Sequence, residues 1–267
     1  MSVVPRTRLI FSWIMEGFWF ILYLLQLPLI IVPRWAHKGR RKESVLILAD
    51  FGCSVLFYFR LKRALARKGF SATVISTGHL SSLAVQARKL AGLLEDLKVQ
   101  KAILIAPGKS GLVALALPDS GRRRIEHLVT LGAPFHGSRI HLPLAFIPAF
   151  RDMVVGSEFL LLHRMNALLF PGFSPFMAFR DQWIYPANLA QFGQGRDLIL
   201  DRAGHWNLVL DGENVDTIVS HLDAMHPEPG AAQSPAPAAP AQETAQKKPA
   251  LPVRKTKPQK PAKKKRR

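Results

Sequence analysis

The chain has 267 residues, 48% of them hydrophobic, with a formal net charge of +19 and one cysteine, Cys53. A lone cysteine excludes an intramolecular disulfide and a cysteine-based metal cluster. Much of the positive charge sits in RWAHKGRRK (34–42) and in the stretch from Lys247 to Arg267. Charge carried by segments in this way speaks for attraction to anionic lipid or nucleic acid and says little about the domain between them.

After Arg6 and Arg8 comes LIFSWIMEGFWFILYLLQLPLIIVP (9–33). Its length predicts a membrane helix, since about 20 apolar residues cross the hydrocarbon. The stretch is too long for a signal peptide, and no A-x-A-like site follows it. A monotopic insertion kinked at Pro28 is the rival to a span. Glu16 is its one charge, expected near the interface. Arg34, Lys38, Arg40, Arg41 and Lys42 outnumber the two arginines before the segment. The positive-inside bias then places the following domain on the cytoplasmic side. Residues 1–42 are read as a membrane anchor with a basic flank.

From residue 43 to 226 the pattern alternates between short apolar runs and amphipathic stretches. SVLILA (44–49), FSATVIST (70–77), KAILIA (101–106) and HLVTLGA (127–133) predict strands, the apolar ones covered on both faces. Residues 55–69 and 80–99 have helical spacing, and Gly69 supplies a stop. GLVALAL (111–117) opens a further helix, DLILDRAGHW (197–206) a last strand and ENVDTIVSHLDAM (213–225) a closing helix. Strands alternating with helices imply an α/β domain around a mainly parallel sheet with helices on both faces. Residues 142–179, apolar and rich in proline and phenylalanine, break the rhythm and are read as a cap or lid insertion. From Pro227 to Arg267 the chain is Pro/Ala-rich and then basic, a composition that predicts disorder. Such a tail tethers the protein or binds anionic lipid, each basic residue contributing about 1 kcal/mol beside an acidic leaflet. No aromatics are interleaved to stack on bases, which makes nucleic acid the weaker partner.

The stretch KAILIAPGKSGLVA (101–114) carries the chemical question. Its Gly108-Lys109-Ser110 is not a phosphate loop, because Ile103 stands where that motif needs its first glycine. Small residues between a strand and a helix fit a sharp elbow instead. Here the sequence resembles the α/β-hydrolase fold, in its lipase and esterase branch. VTLGAPFHGS (129–138) is similar to the V-T-L-G-T-P-H-x-G-[ST] segment of bacterial lipases. KAILIAPGKSGLVA is similar to their V-x-L-V-G-H-S-x-G-G-L-V-A elbow, RAGHWNLVLD (202–211) to the histidine loop, and SVLILADFG to the strand and oxyanion loop.

The resemblance implies acyl-ester hydrolysis by a nucleophile, an acid and a histidine base, with no cofactor and no metal. Aligned without a gap, Gly108 takes the nucleophile position and brings no hydroxyl. Aligned with a deletion, Ser110 takes it. His205 stands as the base, and Asp181, in DQWIYP, as the acid that orients it; Asp201 is an alternative acid. The backbone amides of Phe51 and Lys109 would form the oxyanion hole. Asp50 puts a carboxylate where that negative charge would develop. Two functions follow from the resemblance: a membrane-anchored esterase or lipase acting on an acyl ester through Ser110, and a non-catalytic relative binding a lipid-like molecule or a partner protein at the membrane.

Overall fold

The computed structural model describes residues 5–31, 34–37, 39 and 43–228. The rest of the basic flank and tail residues 229–267 lie outside the described residues, and with them the disorder expected of the tail. The chain divides into two units, Met1–Gly230 and Ala231–Arg267.

In chain order, helix α1 (Arg6–Gln26) leads through a 3-10 turn containing Pro28 to strand β1 (Arg34–His37). Then come β2 (Ser44–Leu48), α2 (Phe59–Arg67), β3 (Ser71–Ile75), α3 (Leu83–Asp96), β4 (Ala102–Pro107), α4 (Lys109–Leu115), α5 (Asp119–Arg122) and β5 (Ile125–Leu131). The short helices α6 (Pro148–Asp152) and α7 (Glu158–His163) precede β6 (Gly172–Ala178), β7 (Leu198–Leu200), α8 (Asn207–Leu210) and α9 (Gly212–Met225).

Among the described residues seven strands form one sheet in the order β1-β3-β2-β4-β5-β6-β7. Only β1 runs antiparallel, against β3; the other pairs are parallel. Alternation along each central strand builds the two layers, because successive side chains leave a strand on opposite faces. Val45 and Ile47 of β2, with Ile103 and Ile105 of β4, pack into one layer with Leu61 and Leu65 of α2 and Ile218 and Leu222 of α9. Leu46, Leu48, Leu104 and Ala106 pack into the other, against α3 and α4. In α3 the inward residues Leu83, Ala87, Leu90 and Leu94 recur every three or four positions, one apolar stripe on a helix. Ser82 caps that helix by accepting from the Val85 amide at 3.4 Å, and Asp211 caps α9 by accepting from the Glu213 and Asn214 amides; each such cap contributes about 1 kcal/mol.

Three boundaries differ from the sequence reading. The cap was expected to run to residue 179, yet residues 172–178 form β6, a strand inside the sheet between β5 and β7. Pro175 disguises it, because a proline lacks the amide that an interior strand uses. The residues placed in the basic flank also contribute more than charge: Arg34 to His37 pair with Ile75 to Ala72 at the sheet edge. The last strand is shorter than 197–206, ending at Leu200, so that His205 sits on a loop.

Candidate functional site

The C-terminal ends of β2, β4, β5 and β6 bring the site together. At the end of β4 the chain turns sharply into α4, and Gly108 holds that turn at φ 51°, ψ −127°, a left-handed conformation that costs other residues strain. This is the elbow, and its apex is Gly108.

Ser110 is placed elsewhere. It lies in the first turn of α4, fully buried, and its hydroxyl donates to the Ala49 carbonyl at 2.7 Å. The hydroxyl that the alignment with a deletion offers as nucleophile is thus engaged by a backbone carbonyl. A helix beginning at Lys109 turns position 110 back toward the sheet, away from the imidazole.

His205 and Asp181 come together. The imidazole Nδ1–H donates to Asp181 Oδ2 at 2.6 Å, while the Trp183 amide donates to Oδ1 of the same carboxylate at 2.8 Å. The alternative acid, Asp201, is exposed and faces Arg8 at 4.0 Å. Position 201 follows β7, whereas the loop after β6 aims Asp181 at the histidine.

The place a nucleophile would occupy is filled by Asp50, from the loop after β2. A β-carbon added at Gly108 would run into Asp50 Oδ2 and would lie 2.5 Å from its Cγ and 2.7 Å from Oδ1. Oδ2 faces His205 Nε2 at 3.1 Å, and Oδ1 accepts from the Lys109 amide at 2.9 Å. The Phe51 amide also stabilises the ionised carboxylate. The two amides expected to form an oxyanion hole are thus both engaged by a resident anion.

Electrostatics lock this arrangement. Burial by itself would push the His205 pKa down, but Asp181 on one side and Asp50 on the other outweigh it and hold the imidazole protonated well above its usual range. Burial likewise opposes the charge on Asp50, and it is overcome by the bond and charge of His205 and then by Lys109, leaving the carboxyl below its ordinary value. The Lys109 ammonium donates to Gln86 Oε1 at 2.7 Å and the Gly78 carbonyl at 3.2 Å. Burial pulls its pKa to about 8, against the attraction of Asp50. An imidazolium between two carboxylates has no free lone pair, so it cannot act as a general base in this state.

Beside these groups lies a cavity of about 60 Å³, lined among others by Tyr23, Phe51, Phe150, Trp183 and Trp206, with Asp50 and His205 in its wall. Among the described residues no cluster of histidine, cysteine, aspartate and glutamate is arranged to hold a metal ion.

Sequence reasoning missed the part of the site that comes from α1. Glu16 is turned into the domain: it is 4% exposed and accepts from the Trp206 amide at 2.8 Å, the Asn207 amide at 3.0 Å and the Gln182 side chain. Gln182 in turn accepts from the His205 amide at 3.0 Å. Gly204, at φ 106°, is needed there, because a β-carbon would lie 2.6 Å from Glu16 Cδ. At the other end of the helix Gln26 donates to the Gly52 carbonyl at 2.8 Å and accepts from the Ser54 amide. One helix therefore braces both the histidine loop and the loop that carries Asp50. A signal existed: Ser12, Glu16, Trp19, Tyr23 and Gln26 recur every three or four residues, a polar and aromatic stripe along an otherwise apolar helix.

No family model and no curated protein sequence matches the chain. Solved structures do. A thermophilic esterase from Thermogutta terrifontis superposes with a TM-score of 0.51 at 14% identity, over 72% of this chain and 93% of its own. A metagenome-derived lipolytic enzyme gives 0.55 at 16% identity, over 72% and 96%. The 2-hydroxy-6-oxo-6-phenylhexa-2,4-dienoate hydrolase from Rhodococcus sp. strain RHA1 gives 0.56 at 15% identity, over 72% and 92%. At such identities the likeness is one of fold, and activity has to be argued from the residues present.

Proposed function

We propose that this chain, which has the α/β-hydrolase fold, is a membrane-associated protein that has lost serine acyl transfer and keeps the pocket to bind an uncharged, lipid-like ligand. The observation that carries this reading is the Asp50 carboxylate, standing where a serine hydroxyl would stand and bonded to the Lys109 amide. A scissile carbonyl has no place to dock while that anion is there, and an oxyanion formed beside it would be repelled. The cavity wall is aromatic and apolar apart from the ion network, which suits a neutral molecule with a hydrocarbon portion and disfavours a free fatty acid. At about 60 Å³ the cavity admits only a small group in this closed form. A longer chain enters as the residues of the cap, His141, Phe150 and Met153 among them, move aside.

Membrane association rests on α1 and its outward apolar residues, with the basic segments beside it in sequence. A helix from Arg6 to Ile30 is long and apolar enough to cross a bilayer. The basic tail, 247–267, adds attraction to anionic lipid. The reading is tested with a fluorophosphonate probe, short-chain nitrophenyl esters and monoolein. No labelling, no turnover and a rise in melting temperature with monoolein are expected. Ester hydrolysis that disappears in His205→Ala would overturn it.

A further inference from the structure

We infer that α1 lies in the plane of one anionic phospholipid leaflet and does not cross the bilayer. The inference rests on the membrane association proposed above and specifies its geometry.

The helix is bound to the domain along its length. The Asn207 side chain donates to the Ser12 carbonyl at 2.9 Å, the Trp19 indole donates to Asn207 Oδ1 at 2.9 Å, and Tyr23 stacks on Trp206 with ring centroids 5.0 Å apart. With Glu16 and Gln26, these contacts run from residue 12 to residue 26, roughly 20 Å of helix at 1.5 Å per residue. The domain brings its own charges alongside. Arg202 lies over the Phe11 ring at 5.3 Å, Arg60 over the Trp19 ring at 5.2 Å, and Asp201 faces Arg8. A spanning pose that kept these contacts would carry arginine and aspartate into hydrocarbon, where each is costly. A spanning pose that broke them would expose the Glu16 carboxylate to lipid and strip the acceptors from the amides of 206 and 207.

The opposite face of the helix has no partner among the described residues. Ile10, Ile14, Phe18, Ile21 and Leu25 are 60%, 64%, 56%, 57% and 72% exposed and recur at helical spacing. Such a face, with polar groups satisfied on the other side, is what an interfacial helix presents to the headgroup and acyl boundary. Charge names the partner. Arg6 and Arg8 stand at one end, and Arg34, Lys38, Arg40, Arg41 and Lys42 follow the other. In the plane of a leaflet both basic ends meet the same anionic surface, whereas a span would set them on opposite sides. The same helix supplies Tyr23 to the cavity wall, so the lipid-facing element is also part of the pocket.

The test uses the full chain on vesicles of equal parts phosphatidylcholine and phosphatidylglycerol. Single cysteines replace Ile10, Phe18 and Leu25, each carrying an environment-sensitive fluorophore, and depth is read by quenching from shallow and deep nitroxide lipids. The buried Cys53 is controlled with the unsubstituted chain. Equal, shallow depths at all three positions are expected. A progression from one interface through the bilayer centre would overturn the in-plane arrangement while leaving membrane association standing. Failure of the unsubstituted chain to co-sediment with the vesicles would instead overturn the membrane reading, and this inference with it.

Discussion

Asp50 and Gly108, far apart in sequence, fit together as lock and vacancy: the carboxylate of one fills the space that any side chain on the other would need. The glycine is the condition for the aspartate, and the aspartate in turn gives His205 Nε2 an anion at 3.1 Å. A serine at the apex and a carboxylate over it exclude one another.

That exclusion sets the first expectation. Gly108→Ser alone should fail to react with fluorophosphonate and should lose on the order of 2 kcal/mol or more of stability, from the clash and the left-handed backbone. Asp50→Ala combined with Gly108→Ser should relieve the clash and gain labelling at residue 108. That gain should vanish when His205→Ala is added. Mass spectrometry of the labelled peptide reads the result, and labelling of the single variant equal to that of the pair would refute the geometry.

The protonation of His205 should answer to Asp50. In Asp50→Asn the imidazole loses one of its two anions, so its pKa should fall from its raised value. It should remain supported by Asp181 and fall further in Asp181→Asn. Histidine ring signals followed by NMR across a pH series decide the matter; an unchanged titration in Asp50→Asn would show that the carboxylate does not bear on the imidazole.

Glu16 is expected to matter for folding of the site although it belongs to the apolar N-terminal helix. Glu16→Ala removes the acceptor for the buried Trp206 and Asn207 amides. Leaving such a donor unpaired costs about 1–3 kcal/mol. Glu16→Gln keeps an acceptor oxygen and should cost less. Denaturant unfolding in a mild detergent gives the comparison, and equal stabilities for the two variants would remove the helix from its bracing role.

Acid should weaken the fold through its buried histidines. His127 bonds to His226 at 3.0 Å and to Ser174 at 2.9 Å, and Ser174 bonds to His221 at 2.9 Å. Burial first, then the neighbouring His226 and His221, hold the His127 pKa at about 4; His79 is held at about 4 by burial and then by Lys109. Unfolded histidines titrate near 6.5, so between these values the unfolded chain binds more protons. Stability from this source is complete above about pH 6.5 and is lost as the pH falls toward about 4. The raised pKa of His205 works in the opposite sense, its contribution being full below about 6.5 and lost as pH rises through its folded value. Unfolding midpoints at neutral pH and at pH near 5 should therefore converge in His127→Gln. A His127→Gln protein that loses as much stability on acidification as the wild type would contradict the sign.

What the sequence determined by itself is everything that depends on local period and on single residue types. Val45 to Leu48 and Ile103 to Ala106 announce buried strands by their unbroken apolar runs, and Leu83 to Leu94 announce a helix by their spacing. Gly108, Asp181 and His205 stand out through the resemblance to lipases and esterases, which no local period supplies. The strand at 172–178 escaped because Pro175 contradicts strand chemistry locally, and only its neighbours β5 and β7 impose that conformation. The tertiary structure alone decided that Ser110 turns inward to Ala49, that Asp50 closes over Gly108, and that Glu16 and Gln26 brace the two site loops. These are contacts between segments as much as 191 residues apart. Such contacts are set by how loops converge at the ends of parallel strands, a geometry to which the period of any one segment is blind.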